Sequence, residues 1–366
     1  MATNVSYYLV ITLILSLGFG QLLRFEFWGI PLFFHDLLTL LILILNLQGL
    51  TLQGLKSNKF TLFFVGLILS WVYALTLYPL ASLFVPFLYT LRLLAYLSLF
   101  SILKNQKISA PQTIFVISGS ATIVIGLIQY LFLPDMRIFE YLGWDDHLSR
   151  LTLPHFDPTF TGVMIALFLL SSFNLDRAKN IFFKCIGIVA LLLTYSRSVW
   201  ISLISAVTMS LIIQKKYNLV LIGIALSILV IALLPKRFGE GTNLLRTYSI
   251  TSRFQSDLDY IGKYKWDLFI GRGMNTLILD RGVSQYDDHA TGPNNSYLYL
   301  LATTGTVGLI GWLGFMKYLF VQSHRKSMLV CFFIASLFNN VMFYPFSLLW
   351  ILLIETQPHK LENLRI

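Results

Sequence analysis

Charged residues are scarce in this chain of 366 residues, at 12% of the sequence against 56% hydrophobic residues. A soluble domain usually contains about a quarter charged residues. Apolar runs of roughly 18–22 residues recur from end to end, and each is long enough to cross a hydrocarbon core about 30 Å thick. No stretch between these runs is long enough for an independent soluble domain. We therefore predict a single all-α, polytopic membrane domain over residues 1–366.

Cysteine is almost absent, and the two residues present, Cys185 and Cys331, both lie in apolar segments. This placement excludes a disulfide framework and a cysteine metal site, so we expect both to pack in the interior. The sequence also has no HExxH, Walker or GxSxG motif. Asp287, Asp288 and His289 could suggest a divalent cation, but three consecutive side chains do not point together. We therefore predict no metal and no cofactor.

The apolar runs predict about twelve transmembrane spans. They lie near Tyr8–Leu23, Trp28–Leu47, Phe60–Leu80, Leu83–Leu103, Thr113–Leu133, Thr159–Phe173, Ile181–Tyr195, Val199–Ile213, Leu219–Leu234, Ser296–Val321, Met328–Met342 and Ser347–Ile354. The net charge of +10 lies mostly in short loops between spans. Because the positive-inside rule explains such a surplus, we predict no nucleic-acid partner.

The basic short loops form one alternating set, which places them and both chain termini in the cytoplasm. The residues of this set are Lys56, Lys59, Lys104, Lys107, Arg177, Lys179, Lys215, Lys216, Arg325 and Lys326, joined by Lys360 and Arg365 of the C-terminal tail. Two long loops, over residues 134–158 and 235–295, then lie outside, and so does the tight turn Ser196–Ser198. The unusual polar residues of the chain gather on this outer side.

Arg197 stands in the short outer turn, at the expected start of a helix. The positive end of a helix dipole disfavours a cation there, so this arginine is placed to bind an anion, with Ser196 or Ser198 available to cap the helix. The alternative is an interfacial arginine that reaches towards lipid headgroups. The residues alone leave these two interpretations equal.

Asp36 and Arg92 are the charges that lie deepest in the predicted spans, at comparable depths. Because an unpaired charge inside a membrane is costly, we predict that they approach each other or share a polar cavity. Such a pair could fix helix packing or take part in catalysis.

Further along, Asn294 and Asn295 begin a span and could bind a sugar or phosphate, or simply cap the helix.

Glycines recur every third residue in the span that follows Asn295, at Gly305, Gly308, Gly311 and Gly314. Small residues in such a stripe let neighbouring helices approach closely, so we predict a packing role. Two further glycines, Gly271 and Gly273, lie in the long outer loop and favour a tight turn over a phosphate cradle.

Three segments together resemble the O-antigen polymerase/ligase superfamily of bacterial membrane glycosyltransferases. The match runs over about residues 157–315. The first segment, Leu193–Ser198, is similar to the Ser-Arg turn of that family. The second comprises Ser252–Phe254, Trp266 and Gly271–Gly273, and it is similar to the family's Arg…Trp…Gly-x-Gly stretch. The third comprises Asn294–Leu298 and Gly305–Gly308, and it is similar to the family's His-Asn-x-x-Leu…Gly-x-x-Gly segment. Weaker similarities occur at Arg150–Leu151, Asp157–Thr159 and Asp36.

The resemblance implies a bacterial inner-membrane enzyme whose active site faces the periplasm. Its substrates would be undecaprenyl-diphosphate-linked oligosaccharides, as donor and acceptor, in inverting glycosyl transfer without a metal. The candidate residues divide by role. Arg197 and Arg253 would stabilise the diphosphate, with Asp288, His289 or Asp157 as the base; Arg272, Asn294, Asn295, Arg150, Asp157, Arg92 and Asp36 would contact substrate. Membrane lipid and a chain-length regulator protein are the other expected partners.

One departure from the family pattern distinguishes its branches. The ligase branch has a histidine where this chain has Asn294, and asparagine hydrogen-bonds but does not titrate as a base. The sequence therefore favours a polymerase of O-antigen or a related surface polysaccharide over a ligase that transfers glycan to lipid A core or protein. A flippase or transporter of lipid-linked sugars is the alternative from another class, since such proteins have ionisable residues and broken helices near the membrane midplane. A non-catalytic assembly partner is the third.

Overall fold

The computed structural model describes residues 2–27, 30–46, 58–171, 177–223, 242–243, 248–281 and 292–357. The protein is mostly helical, at 78%. The helices are α1 (Ala2–Leu17), α2 (Phe34–Leu45), α3 (Asn58–Leu77), α4 (Leu80–Gln106), α5 (Gln112–Phe132), α6 (Pro158–Leu170), α7 (Arg177–Leu193), α8 (Arg197–Ile213), α9 (Tyr248–Tyr264), α10 (Asp267–Ile270), α11 (Ser296–Gln322), α12 (Lys326–Phe338) and α13 (Pro345–Glu355). Strands β1 (Arg24–Phe27) and β2 (Ile30–Phe33) form one hairpin.

Four helices in the described part of the chain, α3, α4, α5 and α11, are long and apolar enough to cross a membrane. The other apolar helices have 10–17 residues. This composition is that of a membrane-embedded all-α protein. Every predicted span overlaps one of these helices, except Leu219–Leu234, most of which lies outside the described residues. The number of spans and their orientation stay predictions.

The second predicted span, Trp28–Leu47, is wrong in its first part. Strands β1 and β2 pair antiparallel there, with Phe25 opposite Leu32, and α2 begins only at Phe34. Hydropathy alone made this stretch part of one apolar run, although Pro31 disfavours a helix interior. Asp36 therefore lies in the first turn of α2 and not within a continuous helix that starts at Trp28.

Polar contacts gather several helix ends at one end of the bundle. Lys104 at the end of α4 donates to the Gln322 side chain at the end of α11, at 3.1 Å. Arg325 at the start of α12 donates to the carbonyl of Ser171 beside the end of α6, at 3.0 Å. Two of the basic residues used to predict the cytoplasmic side thus lie near each other, at the end of α11 opposite to Ser296.

Helix α11 is broken at Gly305, whose φ is +70°. The interruption leaves helical carbonyls without their usual donors, and the loop that follows α10 supplies them. Arg272 N donates to the Ala302 carbonyl at 3.0 Å, and Gly273 N donates to the Thr303 carbonyl at 2.9 Å. A piece of loop backbone therefore replaces part of the helical hydrogen bonding inside α11, as irregular backbone inside a membrane protein requires.

The glycine stripe of α11 serves different purposes along its length. Gly308 lies so close to α3 that a Cβ on Gly66 would meet the Gly308 nitrogen at 2.2 Å, and Gly311 packs similarly against Phe63. The packing prediction is confirmed for Gly308 and Gly311. It is wrong for Gly314, which has no such neighbour within 4 Å, and incomplete for Gly305, which breaks the helix.

The two cysteines have different environments. Cys331 is buried in α12, as predicted, whereas Cys185 on α7 is exposed, so the packing prediction for Cys185 is wrong. In a membrane protein both the core and the lipid-facing surface are apolar. An apolar segment in the sequence therefore does not distinguish a buried cysteine from one on the outer surface of the bundle.

Candidate functional site

The Ser-Arg turn joins α7 to α8, and α8 begins at Arg197 as predicted. Ser196 does not cap the helix with its side chain. Its Oγ instead lies 3.2 Å from the Thr159 hydroxyl of α6 and 3.2 Å from the Ser198 hydroxyl. The half-buried Arg197 thus occupies the first helical position, and two other hydroxyl groups hold the turn in place.

A corner at the end of α12, Phe338–Asn339, connects the three segments that carried the family resemblance. The Asn339 amide donates to the Ser198 hydroxyl at 3.2 Å, next to Arg197. Arg253 donates from Nη1 to the Phe338 carbonyl at 3.2 Å. The Ser296 hydroxyl donates to the Asn339 carbonyl at 2.9 Å. Residues far apart in sequence therefore meet at one place.

Asn294 and Asn295 lie where α11 starts, beside this corner. The Asn295 Oδ1 accepts hydrogen bonds from the backbone nitrogens of Tyr297 at 2.9 Å and Leu298 at 3.2 Å. The capping interpretation is confirmed for Asn295. Asn294 is half-buried and precedes the cap, so it is the amide of this pair that is better placed for a substrate.

Arg150 supports the Ser-Arg turn from the loop that precedes α6. This arginine is 6% exposed, and its Nε donates to the Thr194 carbonyl at 3.0 Å. Its Nη2 lies 3.5 Å from the Tyr195 carbonyl, and Leu151 N donates to the Leu193 carbonyl at 2.9 Å. These contacts favour a positioning role for Arg150 over the predicted contact with substrate.

Asp157 caps α6, since its Oδ1 accepts from Thr159 N at 2.6 Å and Phe160 N at 2.8 Å. Its other oxygen lies 4.0 Å from His147 Nε2. Burial lowers the pKa of His147, which favours a neutral imidazole. Asp145 approaches the same two side chains, and one ligand-type atom from each of the three lies within 4.8 Å of the others. Sequence reasoning missed this cluster because Asp157 follows the others only after a long gap.

Asp257 lies one helical turn after Arg253, and both therefore project from one face of α9. The Asp257 Oδ1 is enclosed and has no hydrogen-bond partner among the described residues. Burial raises the pKa of Asp257, although Arg253 and the backbone of Asn295 act in the opposite direction. The sequence did not single out this carboxylate, and its position beside Asn295 was not predicted.

Arg272 is enclosed by acceptors. It forms ion pairs with Asp267 and, at 3.2 Å, with Asp280, and its Nε donates to the Tyr78 hydroxyl at 3.0 Å. Its guanidinium carbon also lies 5.1 Å from the centre of the Tyr264 ring. Two carboxylates thus compensate its charge. This arrangement favours a role in anchoring the loop beside α3 over the predicted contact with diphosphate.

Asp36 and Arg92 form the predicted pair, with Arg92 Nη2 at 3.0 Å from Asp36 Oδ2. The Tyr96 hydroxyl also donates to Asp36, as does the backbone nitrogen of Phe33 at 3.0 Å. The second contact of Arg92 is a hydrogen bond of 2.7 Å to the Pro31 carbonyl of the hairpin. These bonds join α2, α4 and the hairpin, which favours the packing interpretation of the pair.

We predict that Asp36→Asn destabilises the protein by about 3–5 kcal/mol, because it leaves the Arg92 guanidinium buried without its carboxylate. The double variant Asp36→Asn with Arg92→Met should recover part of the loss. The pair of Arg24 with the exposed Glu26 provides the control, since Glu26→Gln should change stability by less than about 1 kcal/mol. Thermal unfolding in detergent measures all three, and a double variant no more stable than Asp36→Asn would contradict the pairing argument.

Two predicted bases, Asp288 and His289, lie outside the described residues, together with Asp287. The polar end of α12 was not predicted from the sequence. Asn339 and Asn340 end an apolar segment, and Asn340 Oδ1 is buried without a hydrogen-bond partner in the described part of the chain. Consecutive amides at the end of a span were a usable signal.

No family model and no curated protein sequence matches the chain.

Proposed function

We propose that this protein polymerises undecaprenyl-diphosphate-linked oligosaccharide repeat units into O-antigen or a related surface polysaccharide. In this proposal about twelve spans cross a bacterial inner membrane, both termini are cytoplasmic, and the site faces the periplasm. The observation that carries it is the Phe338–Asn339 corner, where the Ser-Arg turn, Arg253 and the Asn-Asn start of α11 meet. The resemblance was read from segments dispersed in sequence, and chance similarity would not require them to be neighbours.

The chemistry of this corner suits a diphosphate leaving group. Arg197 and Arg253 supply guanidinium groups, which bind phosphate oxygens through two parallel hydrogen bonds. Arg197 also lies at the N-terminus of α8, where backbone N–H groups and the helix dipole favour an anion. As the bond between sugar and diphosphate breaks, negative charge grows on the diphosphate, and fixed cations lower the barrier most when that charge is largest.

The acceptor hydroxyl must lose its proton during the transfer, and Asp257 is the carboxylate best placed to take it. It lies beside Arg253, and its enclosed Oδ1 has no partner among the described residues, so it can accept a hydrogen bond from substrate. The Asn294 position offers no base, because an amide does not titrate. Asp257 supplies the group that the asparagine lacks, and the burial that raises its pKa makes it a stronger base.

We predict that Asp257→Asn lowers the transfer rate by about 100-fold, the usual size of a general-base contribution. The activity of the unaltered protein should fall as the pH falls through the raised pKa of Asp257, because the protonated form cannot accept a proton. Asp257→Asn should lose this acidic limb. Asp259→Asn is the matched control, since Asp259 is exposed on the same helix and bonds locally to Gln255. Equal activity of the two variants across pH would exclude Asp257 as the base.

A reconstitution tests the proposed reaction directly. The purified protein receives lipid-linked repeat units and lipid A core, without nucleotide or added metal, and the products are separated by size. A ladder of polymers supports the polymerase. A single transfer to lipid A core identifies a ligase, and no product of either kind contradicts the proposed enzyme.

One observation favours a second candidate, a flippase for lipid-linked sugars. Transporters place broken helices at their substrate sites, and α11 is broken at Gly305. Against this, loop nitrogens satisfy the carbonyls of Ala302 and Thr303 at that break, so these groups are not presented to a substrate. Movement of labelled lipid-linked sugar across proteoliposomes, without polymer formation, would favour the flippase.

A further inference from the structure

We propose that Asp145, His147 and Asp157 bind a divalent transition-metal ion, Zn²⁺ or Mn²⁺, in the loop that precedes α6. One imidazole nitrogen and two carboxylate oxygens form the ligand set. The mixture favours Zn²⁺ or Mn²⁺, because Ca²⁺ and Mg²⁺ prefer oxygen ligands alone. None of the three ligands takes part in the contacts of the corner at Phe338–Asn339, and metal binding is measured without an activity assay, so the proposal does not depend on the function proposed above.

The loop backbone holds the three residues before any ion binds. The Trp144 and Phe156 rings stack with centres 4.7 Å apart, and the next residue after each ring is one of the two carboxylates. Met136 N donates to the His147 carbonyl at 2.9 Å, which fixes the backbone between them. Two arms of the loop are therefore joined by aromatic packing and by backbone hydrogen bonding at the site where the ligands face each other.

The distances suit a metal better than a direct hydrogen bond. His147 Nε2 lies 4.0 Å from Asp157 Oδ2, which is too long for a hydrogen bond. In a tetrahedral zinc site with bonds of about 2.0–2.2 Å, two ligand atoms lie roughly 3.4 Å apart, so a shift of about half an ångström would bring this pair into coordination range. Asp145 is exposed, so a small rotation brings its carboxylate within the same range.

His147 has a buried side-chain nitrogen without a hydrogen-bond partner among the described residues, and this observation points to a ligand. The His147 side chain is 11% exposed, and its Nε2 is buried without a hydrogen-bond partner among the described residues. Burying a polar nitrogen without a partner is unfavourable. The Asp157 carboxylate is fixed from the other side, because its Oδ1 accepts two backbone hydrogen bonds from α6. Such supporting bonds are typical of metal-binding carboxylates.

A bound ion would clamp the loop to the start of α6. Asp157 and the residues after it begin that helix, while Arg150 of the same loop holds the carbonyls of Thr194 and Tyr195. The ion would thus stabilise the segment that supports the Ser-Arg turn. This role is structural and concerns loop stability, so metal binding is measurable without any assay of catalysis.

The test titrates the metal-stripped, detergent-purified full chain with ZnCl₂ and MnCl₂ by calorimetry, with CaCl₂ and MgCl₂ for comparison. Asp145→Asn and His147→Asn remove ligands. Asp146→Asn is the matched control, because it removes the neighbouring exposed carboxylate. We expect saturable one-to-one binding of Zn²⁺ or Mn²⁺ by the unaltered chain and by Asp146→Asn, at least ~10-fold weaker binding by Asp145→Asn, and none by His147→Asn.

Thermal unfolding gives an independent readout. Metal should raise Tm for the unaltered chain and for Asp146→Asn, and leave Tm of the two ligand variants unchanged. If His147→Asn does not fold, the exposed Asp145 position still decides the matter. Absence of saturable Zn²⁺ or Mn²⁺ binding would overturn the proposal, as would equal weakening by Asp145→Asn and Asp146→Asn, or equally tight binding of Ca²⁺ and Mg²⁺.

Discussion

Polymer synthesis should fall by about 100-fold or more when either Arg197 or Arg253 is changed to alanine, the usual effect of removing one group that stabilises transition-state charge. Both residues approach the Phe338–Asn339 corner, Arg253 by a hydrogen bond and Arg197 through its neighbour Ser198. Loss of either cation leaves the departing diphosphate with half of its proposed guanidinium stabilisation. The measurement is surface polysaccharide in a strain that lacks the chromosomal gene, complemented by each variant.

The controls separate charge from folding. Arg137 is exposed in the loop that precedes α6 and pairs with Asp135 two residues earlier, so Arg137→Ala should leave polymer at the level of the unaltered protein. Arg253→Lys should restore part of the activity, because ammonium keeps the charge but not the bidentate geometry. Each variant must be present in the membrane at normal levels. Normal polymer from Arg197→Ala or Arg253→Ala would remove that residue from the proposed site.

Substitution of Gly271 or Gly305 should also produce a large loss of stability. Both residues have positive φ, +83° and +70°, which costs a residue with a side chain about 1–3 kcal/mol. A Cβ on Gly271 would also meet the Gly305 nitrogen at 2.4 Å, and a Cβ on Gly305 would meet the Ile270 carbonyl carbon at 2.4 Å. Since these neighbours are backbone atoms, they cannot rotate away. Gly271→Ala and Gly305→Ala should each lower Tm by several degrees, or prevent accumulation in the membrane.

Gly314→Ala provides the matched control within the same helix, because a Cβ there has open space. Alanine favours helix by up to about 1 kcal/mol relative to glycine, so this variant should be at least as stable as the unaltered protein. Thermal unfolding in detergent compares the three. A Gly305→Ala variant as stable as Gly314→Ala would show that the break in α11 is not required.

The sequence predicted the helical segments well because the membrane imposes one strong pattern, a long apolar run for each helix. The prediction failed where apolar residues do not belong to a regular helix. The hairpin ending at Phe33 belongs to an apolar stretch, and only Pro31 indicated that it is not helical. The break at Gly305 belongs to a regular glycine stripe and differs from Gly308 only through its contact with Ile270, which no local pattern reveals.

The sequence pointed to the two arginines of the proposed site, and it did not predict the contacts that surround them. Arg197 and Arg253 were identified by position in a turn and by resemblance, and the pairing of Asp36 with Arg92 followed from the cost of an unpaired buried charge. The role of each remaining polar residue depends on which side chains lie within hydrogen-bonding distance of it in the fold. Arg272 pairs with two carboxylates, which favours a role in holding the loop in place. Asp257, in contrast, has one oxygen without a hydrogen-bond partner among the described residues.

The hydrogen bonds from Arg272 and Gly273 into the broken α11 have a mechanical consequence. These bonds join the short loop segment to α11, so this segment cannot move unless α11 itself changes conformation. Helix α9, which carries Arg253, ends before this segment. Lys265, which directly follows α9, has a φ of +31°. Any movement of α9 that carries Arg253 must therefore be taken up between Tyr264 and Arg272, because the backbone of Arg272 and Gly273 is held by α11.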